Sequence, residues 1–198
     1  MKRADLKRIC VFCGSNPGGN PAYAEAARAL GRAIADRGLG LVYGGGHVGL
    51  MGIVADAAMR QGAEVIGIIP ETLMRREVGH GAITDLRVVG TMHERKAMMA
   101  DLSDGFVVLP GGIGTLEEAV EALTWTQLGI HDKGLAFLDT EGYWQRMGAV
   151  FDHMVGEGFL SAAHRALVRF ERTPEAALDA LAGFRPVAVD KWAVPSAR

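Results

Sequence analysis

Residues 106–118 read Phe-Val-Val-Leu-Pro-Gly-Gly-Ile-Gly-Thr-Leu-Glu-Glu and pass from an apolar run, through a glycine-rich loop, into a helix-like segment. The apolar run has the length and composition of a fully buried strand. Glycines between a strand and a helix allow backbone N–H groups to approach a ligand closely. The stretch therefore predicts one βα unit of an open parallel sheet, with an anion site at the carboxyl end of its strand.

The same alternation continues on both sides of this stretch. Strands are predicted at Ile9–Cys13, Leu39–Tyr43, Glu64–Ile69, Asp85–Val89, Phe106–Leu109 and Leu135–Leu138, with a weaker one at Leu167–Phe170. Helices are predicted at Ala22–Arg37, Leu50–Gln61, Met92–Leu102, Leu116–Leu128, Tyr143–Glu157 and Pro174–Leu181. Continuous apolar strands with helices between them indicate a mainly parallel sheet covered on both faces. We expect a single doubly wound, Rossmann-like α/β domain over residues 1–184, followed by a loose tail over residues 185–198.

The composition of the chain argues against several classes of function. The chain has 198 residues, of which 49% are hydrophobic and 22% charged, as in one ordinary globular domain. A net charge of -2 provides no general attraction to polyanions, so we expect no nucleic-acid binding. The first apolar run, Ile9–Cys13, is too short for a signal peptide, and no stretch approaches the ~20 apolar residues of a membrane span. We therefore expect a cytoplasmic protein with no membrane partner.

Cys10 and Cys13 form a C-x-x-C pair, which is a pattern found in redox and zinc sites. Here the pair lies inside a predicted buried strand. Positions three apart on a strand face opposite sides of the sheet, and no second pair completes a metal site. We assign both cysteines a structural role.

A second glycine cluster, Gly44-x-Gly46-x-x-Gly49, matches the G-x-G-x-x-G fingerprint of dinucleotide-binding folds. In those folds the fingerprint follows the first strand, whereas here it follows the second. The acid about twenty residues further on, Glu64, begins a strand instead of ending one. Both departures argue against NAD(P), which stays as a rival interpretation. The loop is expected either to bring backbone close to a ligand or to form a tight turn that needs glycine dihedrals.

Thr115 and Glu118 have the spacing of a capping box, which predicts that a helix begins at Thr115. The glycines before it would then present free amides to an anion at the positive end of the helix dipole. A monophosphate is the anion indicated, because the sequence contains no P-loop motif. Glu118 is either a helix cap only or also a carboxylate of the site.

Thr91 and Glu94 form another capping box, which brings Arg95 and Lys96 into the first turn of a helix. Cations at that place oppose the helix dipole, and such a locally unfavourable choice is more typical of a functional pair than of a solvated one. Arg95 and Lys96 are about 100° apart around the helix, so both can border one pocket.

Together these segments resemble the LOG ("Lonely Guy") family of cytokinin riboside 5′-monophosphate phosphoribohydrolases, whose members were often labelled lysine decarboxylases. The main motif is Pro110-Gly111-Gly112-x-Gly114-Thr115-x-x-Glu118, and the resemblance covers roughly residues 9–184. The other matching segments are Cys13-Gly14-Ser15, Gly44-Gly45-Gly46-x-x-Gly49-Leu50-Met51-Gly52, Met92-His93-Glu94-Arg95-Lys96 and Trp125-x-Gln127-Leu128-Gly129. Gly134 departs from the pattern, because relatives often have proline there.

The resemblance implies a Rossmann-like fold assembled at least as a homodimer. It also implies hydrolysis of AMP or of N6-modified AMP, such as isopentenyladenosine monophosphate, to a free base and ribose 5-phosphate. Arg95 and Glu118 are the implied catalytic pair. The positions implied to bind the nucleotide are Ser15, Glu77, Arg95, Lys96, Gly112, Ile113, Gly114, Thr115, Leu116, Glu117, Glu118 and Thr124. We expect no cofactor and no metal, because the six histidines are scattered and form no ligand cluster.

The chemistry agrees with these roles. Breaking a ribosyl C–N bond builds positive charge on the sugar, so a carboxylate beside C1′ stabilises the transition state and directs water. Glu118 suits this role. Arginine keeps its proton at any usual pH, so Arg95 is expected to orient phosphate or base instead of acting as an acid.

Two other functions stay open beside NAD(P) chemistry. One is a non-catalytic carrier of a nucleotide or cofactor on the same fold. The other is a pyridoxal-phosphate decarboxylase, for which Lys96 and Lys133 are the mid-chain candidates. The remaining residues of interest are interpreted structurally: His131, His153 and His164 as surface or satisfied side chains, and Trp125, Met98 and Met99 as core or dimer contacts.

Overall fold

The computed structural model describes residues 6–77 and 79–186, and for residues 75–77 it describes the backbone only. The strands are β1 (Arg8–Phe12), β2 (Gly40–Tyr43), β3 (Val65–Pro70), β4 (Asp85–Val89), β5 (Gly105–Val108), β6 (Gly134–Leu138) and β7 (Val168–Glu171). The helices are α1 (Pro21–Asp36), α2 (Gly49–Arg60), α3 (Glu71–Glu77), α4 (Met92–Asp101), α5 (Ile113–Gln127), α6 (Gln145–Gly156), α7 (Ala162–Arg165) and α8 (Pro174–Ala182). A 3₁₀ turn at Thr140–Gly142 connects β6 to α6.

All seven strands pair in parallel, in the order β4-β3-β2-β1-β5-β6-β7. The expected doubly wound α/β fold is therefore confirmed. The strand order reverses between β1 and β5, so the helices that follow these two neighbours, α1 and α5, lie on opposite faces of the sheet. Such a switch point opens a crevice at the carboxyl ends of the strands, which is where this class of fold binds its ligands.

Helices cover both faces of the sheet, because its central strands are apolar on both sides. One core cluster joins the sheet to α1, α2 and α8, and the other joins it to α4, α5 and α6. Cys13 belongs to the first cluster and Cys10 to the second, which confirms that the two thiols face opposite sides of the sheet. Both are free, and burial raises the pKa of each thiol, so neither has the character of a redox cysteine.

Some helix boundaries differ from the sequence predictions. The prediction that a helix begins at Thr115 is wrong: α5 begins at Ile113, after Gly112 as N-cap, and Thr115 lies buried in the first turn. Gly112 is extended (φ −91°, ψ −155°), so the change to helical dihedrals comes two residues before the threonine. Likewise α6 begins at Gln145 and not at Tyr143, because the 3₁₀ turn interrupts the chain.

Other local predictions had mixed outcomes. Met99 is buried in the core, as expected, and Trp125 and Met98 pack against it. Of the histidines, His153 is exposed, whereas His131 and His164 each have a buried Nε2 with no hydrogen-bond partner among the described atoms. The interpretation of these two side chains as surface or satisfied holds only in part, because Nδ1 of each ring has a hydrogen-bond partner whereas the buried Nε2 has none within the described residues. Residues 187–198 of the expected tail lie outside the described residues. No helix within the described ranges has the length and apolarity needed to span a bilayer.

Candidate active site

A cavity of about 460 Å³ lies at the switch point, over the carboxyl ends of β1, β2 and β5. Its volume is within the range of roughly 300–1,000 Å³ that is usual for small-molecule sites. The lining residues are Val11, Cys13–Gly18, Tyr23, Gly44, Leu50, Met51, Arg95, Pro110–Thr115, Glu118 and Tyr143. The cavity therefore combines a glycine-rich wall with one buried cation and one carboxylate.

The loops that leave β1 and β5 pack directly against each other. The Gly14 N–H donates to the carbonyl oxygen of Pro110 over 3.1 Å, and the Leu50 N–H donates to the Gly14 carbonyl oxygen over 3.0 Å. A Cβ on Gly111 would lie 2.9 Å from the Gly14 nitrogen and 2.1 Å from the Thr115 hydroxyl oxygen. Only glycine at position 111 permits this close approach, which holds the wall of the cavity in one conformation.

The N-terminus of α5 opens onto the cavity. The first helical hydrogen bond runs from the Leu116 N–H to the Gly112 carbonyl oxygen over 3.1 Å, so the preceding N–H groups have no partner within the helix. Together with the positive end of the helix dipole, these amides form an electropositive surface suited to a phosphate. The loop thus has the anion-binding character predicted from its glycines.

Arg95 reaches the cavity from α4, which covers the same face of the sheet as α5. The capping box of Thr91 and Glu94 is present as predicted, and Arg95 is the fourth residue of α4. Its side chain is only 8% exposed. Its Nε donates to the Ile68 carbonyl oxygen (3.1 Å) and its Nη2 donates to the Gly44 carbonyl oxygen (3.2 Å). The guanidinium is therefore fixed against the ends of β2 and β3.

Glu118 completes this arrangement from the first turns of α5. Its Oε1 lies 3.2 Å from Nη1 of Arg95, and its side chain is only 11% exposed. A Cβ on Gly44 would lie 2.0 Å from Nη2 of Arg95, so the ion pair occupies space that any larger residue at position 44 would fill. The pair is thus a buried carboxylate held by a triply anchored guanidinium, on the same helix as the anion site.

Lys96 makes different contacts from its neighbour. Its Nζ forms ion pairs with Glu117 and with Glu121, the second over 3.0 Å, and its side chain is 9% exposed. Desolvation lowers the pKa of Lys96, but the hydrogen bonds that its Nζ donates to the two carboxylates, together with their negative charge, outweigh it, so the pKa lies above its ordinary value. Lys96 therefore stays charged and joins α4 to α5, and it is buried, not the solvated cation of the alternative interpretation.

The structure brings many of the expected site residues together. Ser15, Arg95, Glu118 and the run Gly112–Thr115 all line the cavity. Four others in the described part of the chain do not line it: Lys96, Leu116, Glu117 and Thr124. Leu116 packs against the core, and the Thr124 hydroxyl donates to the Val120 carbonyl oxygen over 2.7 Å. Glu77 ends α3, and its side chain lies outside the described residues.

Sequence reasoning missed two aromatic residues of the cavity. Tyr23 and Tyr143 line it, with ring centroids 5.5 Å apart in an edge-to-face arrangement. Both were treated as parts of ordinary helices. For Tyr23 a signal exists, since it follows the glycine-containing loop at the carboxyl end of β1. For Tyr143 there is none, because its partner in the glycine loop is distant in sequence.

The glycine cluster after β2 is explained by packing around the site. Gly45 and Gly49 have positive φ angles of 76° and 64°, as the tight-turn interpretation requires, and Gly44 lines the cavity, as the close-approach interpretation requires. A Cβ on Gly49 would lie 2.3 Å from the Ser15 backbone. Glu64 lies just before β3, at the amino ends of the strands and away from the cavity, where it pairs with Arg8. These positions leave the dinucleotide interpretation without the acidic residue it needs.

Neither candidate lysine for pyridoxal phosphate is available in the cavity. Lys96 is engaged by two carboxylates, and Lys133 donates from Nζ to the Ala100 carbonyl oxygen over 2.5 Å. A Schiff-base lysine has to reach the substrate pocket, and within the described ranges the cavity is lined by no lysine. The site's chemistry therefore rests on Arg95, Glu118 and the amides of the glycine loop.

Comparison with known proteins agrees with this geometry. The model of the family described as "Possible lysine decarboxylase" matches residues 51–181. The chain is 50% identical to the probable cytokinin riboside 5′-monophosphate phosphoribohydrolase LOGL9 of Oryza sativa subsp. japonica, over 89% of this chain and 77% of that protein. It is 48% identical to the cytokinin riboside 5′-monophosphate phosphoribohydrolase LOG3 of Arabidopsis thaliana, over 85% and 78%. Among solved structures, the molybdenum cofactor carrier protein of Chlamydomonas reinhardtii has the same fold, with a TM-score of 0.66 and 22% identity over 88% of this chain and 94% of that one.

Proposed function

Because this chain belongs to the LOG family of cytokinin riboside 5′-monophosphate phosphoribohydrolases, we propose that it hydrolyses the N-glycosidic bond of AMP or N6-modified AMP. Water attacks C1′ of the ribose, the bond from C1′ to N9 of the purine breaks, and a proton from the water ends on the departing base. The products are a free base, which is an active cytokinin when N6 carries a suitable substituent, and ribose 5-phosphate. Water is the only co-reactant that this hydrolysis requires.

The observation that carries the proposal is the buried pair of Arg95 and Glu118 beside the α5 N-terminus. A nucleoside monophosphate needs an anion site for its phosphate and a carboxylate for the cationic sugar of the transition state. Glu118 lies three residues, or roughly 4.5 Å of helical rise, beyond Thr115. With the phosphate at the amides of Gly112–Thr115, the ribose therefore extends toward the Glu118 carboxylate.

In this mechanism Glu118 stabilises the positive charge that develops at C1′ and aligns the attacking water. Its burial supports the role, since charge–charge interactions are stronger where water is excluded. Arg95 holds the carboxylate in place, and its fixed contacts with Ile68 and Gly44 mean that little reorganisation is needed during the reaction. As arginine remains protonated, Arg95 orients groups and does not donate the proton to the base.

The remaining nucleotide-binding roles follow from the family resemblance. Ser15 and the run Gly112–Thr115 hold the phosphate, which their positions in the cavity wall support. Lys96 and Glu117 do not line the cavity, and they contribute indirectly through the ion pair that joins α4 to α5. Glu77 is proposed to accept hydrogen bonds from the ribose hydroxyls, and Thr124 to contribute from the following turns of α5.

We further propose that the protein is cytoplasmic and forms at least a homodimer. The free thiols Cys10 and Cys13 suit a reducing compartment. Val120 on α5, and Leu128 and Ile130 just after the helix, are exposed apolar side chains, and an exposed apolar patch is typical of a protein interface. Light scattering of the parent and of Ile130→Asp tests the assembly: a dimer that Ile130→Asp dissociates supports it, and a monomeric parent contradicts it.

Product analysis tests the function. The purified protein is incubated with AMP, with N6-isopentenyl-AMP and with the matching nucleosides that lack phosphate. We expect equal amounts of free base and ribose 5-phosphate from the monophosphates, and at least about tenfold less base from the nucleosides, because they lack the anchor at the α5 N-terminus. Binding of both nucleotides without release of base would contradict the hydrolase and favour a carrier.

A further inference from the structure

Tyr143 contacts the anion-binding loop although it belongs to neither β1 nor β5 nor the loops that leave them; it follows β6 and the 3₁₀ turn. Its hydroxyl donates to the carbonyl oxygen of Gly111 over 2.6 Å, and its ring lines the cavity. The residue is 40% exposed, so this part of the site is open to water. A hydrogen bond at such an exposed place adds little to folding stability. We therefore ask what this bond does to the conformation of the glycine loop.

The peptide group to which Tyr143 donates its hydrogen bond joins two glycines, Gly111 and Gly112. Glycine restricts its flanking dihedrals less than any other residue does, so the orientation of this peptide plane depends on the hydrogen bonds that its oxygen and its N–H make. In a trans peptide the carbonyl oxygen of Gly111 and the N–H of Gly112 point in opposite directions. Holding the oxygen therefore also fixes the direction of the amide hydrogen at the N-cap of α5.

The orientation matters for an anion. A free carbonyl oxygen turned into the cavity would repel a phosphate, whereas an N–H in the same place attracts it. With its oxygen bonded to Tyr143, the Gly111 carbonyl is kept from taking that place. The hydroxyl also polarises the peptide, which strengthens the amide as a donor.

The turn that precedes Tyr143 has an unusual backbone conformation. Glu141 has a φ of 53° and is the single non-glycine residue with positive φ in the described part of the chain. Gly142 follows with a φ of 72°, and the Trp144 N–H donates to the Asp139 carboxylate over 2.7 Å. Backbone strain of this kind persists where the surrounding structure and a function require it. Tyr143 directly follows this turn, and its hydroxyl contacts the glycine loop.

We propose that Tyr143 is a positioning residue, which holds the Gly111–Gly112 peptide in the orientation that binds the 5′-phosphate; this inference rests on the proposed hydrolase function. Tyr143→Phe keeps the ring and its packing and removes only the hydroxyl. Tyr43→Phe is the matched control, because the Tyr43 hydroxyl is buried away from the cavity, with no hydrogen-bond partner among the described atoms.

The experiment compares inhibition of AMP hydrolysis by inorganic phosphate and by adenine. In Tyr143→Phe we expect KM for AMP and the inhibition constant of phosphate to rise about fivefold, the effect of one hydrogen bond, while kcat and the inhibition constant of adenine change less than about twofold. Tyr43→Phe should keep the parental constants. An unchanged phosphate constant, or equal weakening of phosphate and adenine, would overturn the proposal.

Direct binding separates this proposal from the hydrolase itself. Calorimetry measures the Kd of ribose 5-phosphate for the parent and for Tyr143→Phe without any turnover. A parent that binds ribose 5-phosphate but does not cleave AMP would refute the hydrolase alone, and the expected rise of about fivefold in Kd would still support Tyr143. A parent that does not bind ribose 5-phosphate would refute both.

Discussion

Gly44→Ala is the smallest substitution that should disable the site. The added Cβ would lie 2.0 Å from Nη2 and 3.2 Å from Cζ of Arg95, and 3.2 Å from Sδ of Met51. The tip of an exposed arginine would simply move aside. Arg95 cannot do so, because its side chain is 8% exposed and its three nitrogens bind Ile68, Gly44 and Glu118. Reaching normal contact distance requires a shift of more than about 1 Å in a closely packed setting.

Two effects of Gly44→Ala follow from that shift. Hydrogen bonds to charged groups contribute about 1.5–3 kcal/mol each, so the loss of one should lower the free energy of unfolding by about 2 kcal/mol. A displacement of about 1 Å in a catalytic group lowers the rate by about 100-fold. We therefore expect kcat/KM for AMP to fall by about 100-fold, equivalent to about 2.7 kcal/mol of transition-state stabilisation.

The assay is base release from AMP, with urea unfolding measured in parallel. Gly156→Ala is the matched control, because a Cβ at that exposed position at the end of α6 meets no atom within 4 Å. It should keep the parental kcat/KM and the parental stability or slightly more. A folded Gly44→Ala protein with parental kcat/KM would refute the argument that Arg95 has no room to move.

Two further predictions concern side chains outside the cavity. Lys96→Met leaves Glu117 and Glu121 without the cation that they share. Because both carboxylates are partly exposed, the free energy of unfolding should fall by only about 1–2 kcal/mol. Urea unfolding that shows no loss of stability would contradict a stabilising role for these ion pairs. His131 has a pKa lowered by burial and by the nearby Lys133. The unfolded chain binds a proton below about pH 6.5 that the buried ring resists, so stability is lost as pH falls, and His131→Asn should show a smaller loss between about pH 7.5 and 5.5. An equal loss in parent and variant would exclude His131 as the source.

The sheet could be predicted from the sequence because its strands are continuous apolar runs, a signal that does not depend on the rest of the fold. The helix α3 could not. Residues 71–77 read Glu-Thr-Leu-Met-Arg-Arg-Glu, which is short and has too few apolar residues for a periodic face. The start of α5 was misplaced for another reason. The spacing of Thr115 and Glu118 fits a capping box, but Glu118 instead forms an ion pair with Arg95, a partner that local spacing cannot reveal.

The same limit applies to the candidate site. The sequence predicts that Arg95 and Lys96 lie on one turn of a helix and that both have a function. It does not show that a rotation of about 100° directs one to the cavity and the other to the carboxylates of α5. Tyr143 was missed because its contact with Gly111 spans 32 positions of the chain. In each case the sequence pattern predicts the secondary structure in which the residue lies, but it does not identify the residue, distant in sequence, that its side chain contacts.

The central claim is that Glu118 takes part in bond cleavage and not merely in nucleotide binding. The most direct measurement is kcat for AMP hydrolysis beside the Kd of AMP, for the parent, for Glu118→Gln and for the exposed control Glu157→Gln. We expect kcat of Glu118→Gln to fall at least about 100-fold, the effect of removing a preorganised electrostatic stabiliser, while Kd changes less than about threefold and Glu157→Gln behaves as the parent. A Glu118→Gln protein that retains kcat within about tenfold of the parent would contradict the account.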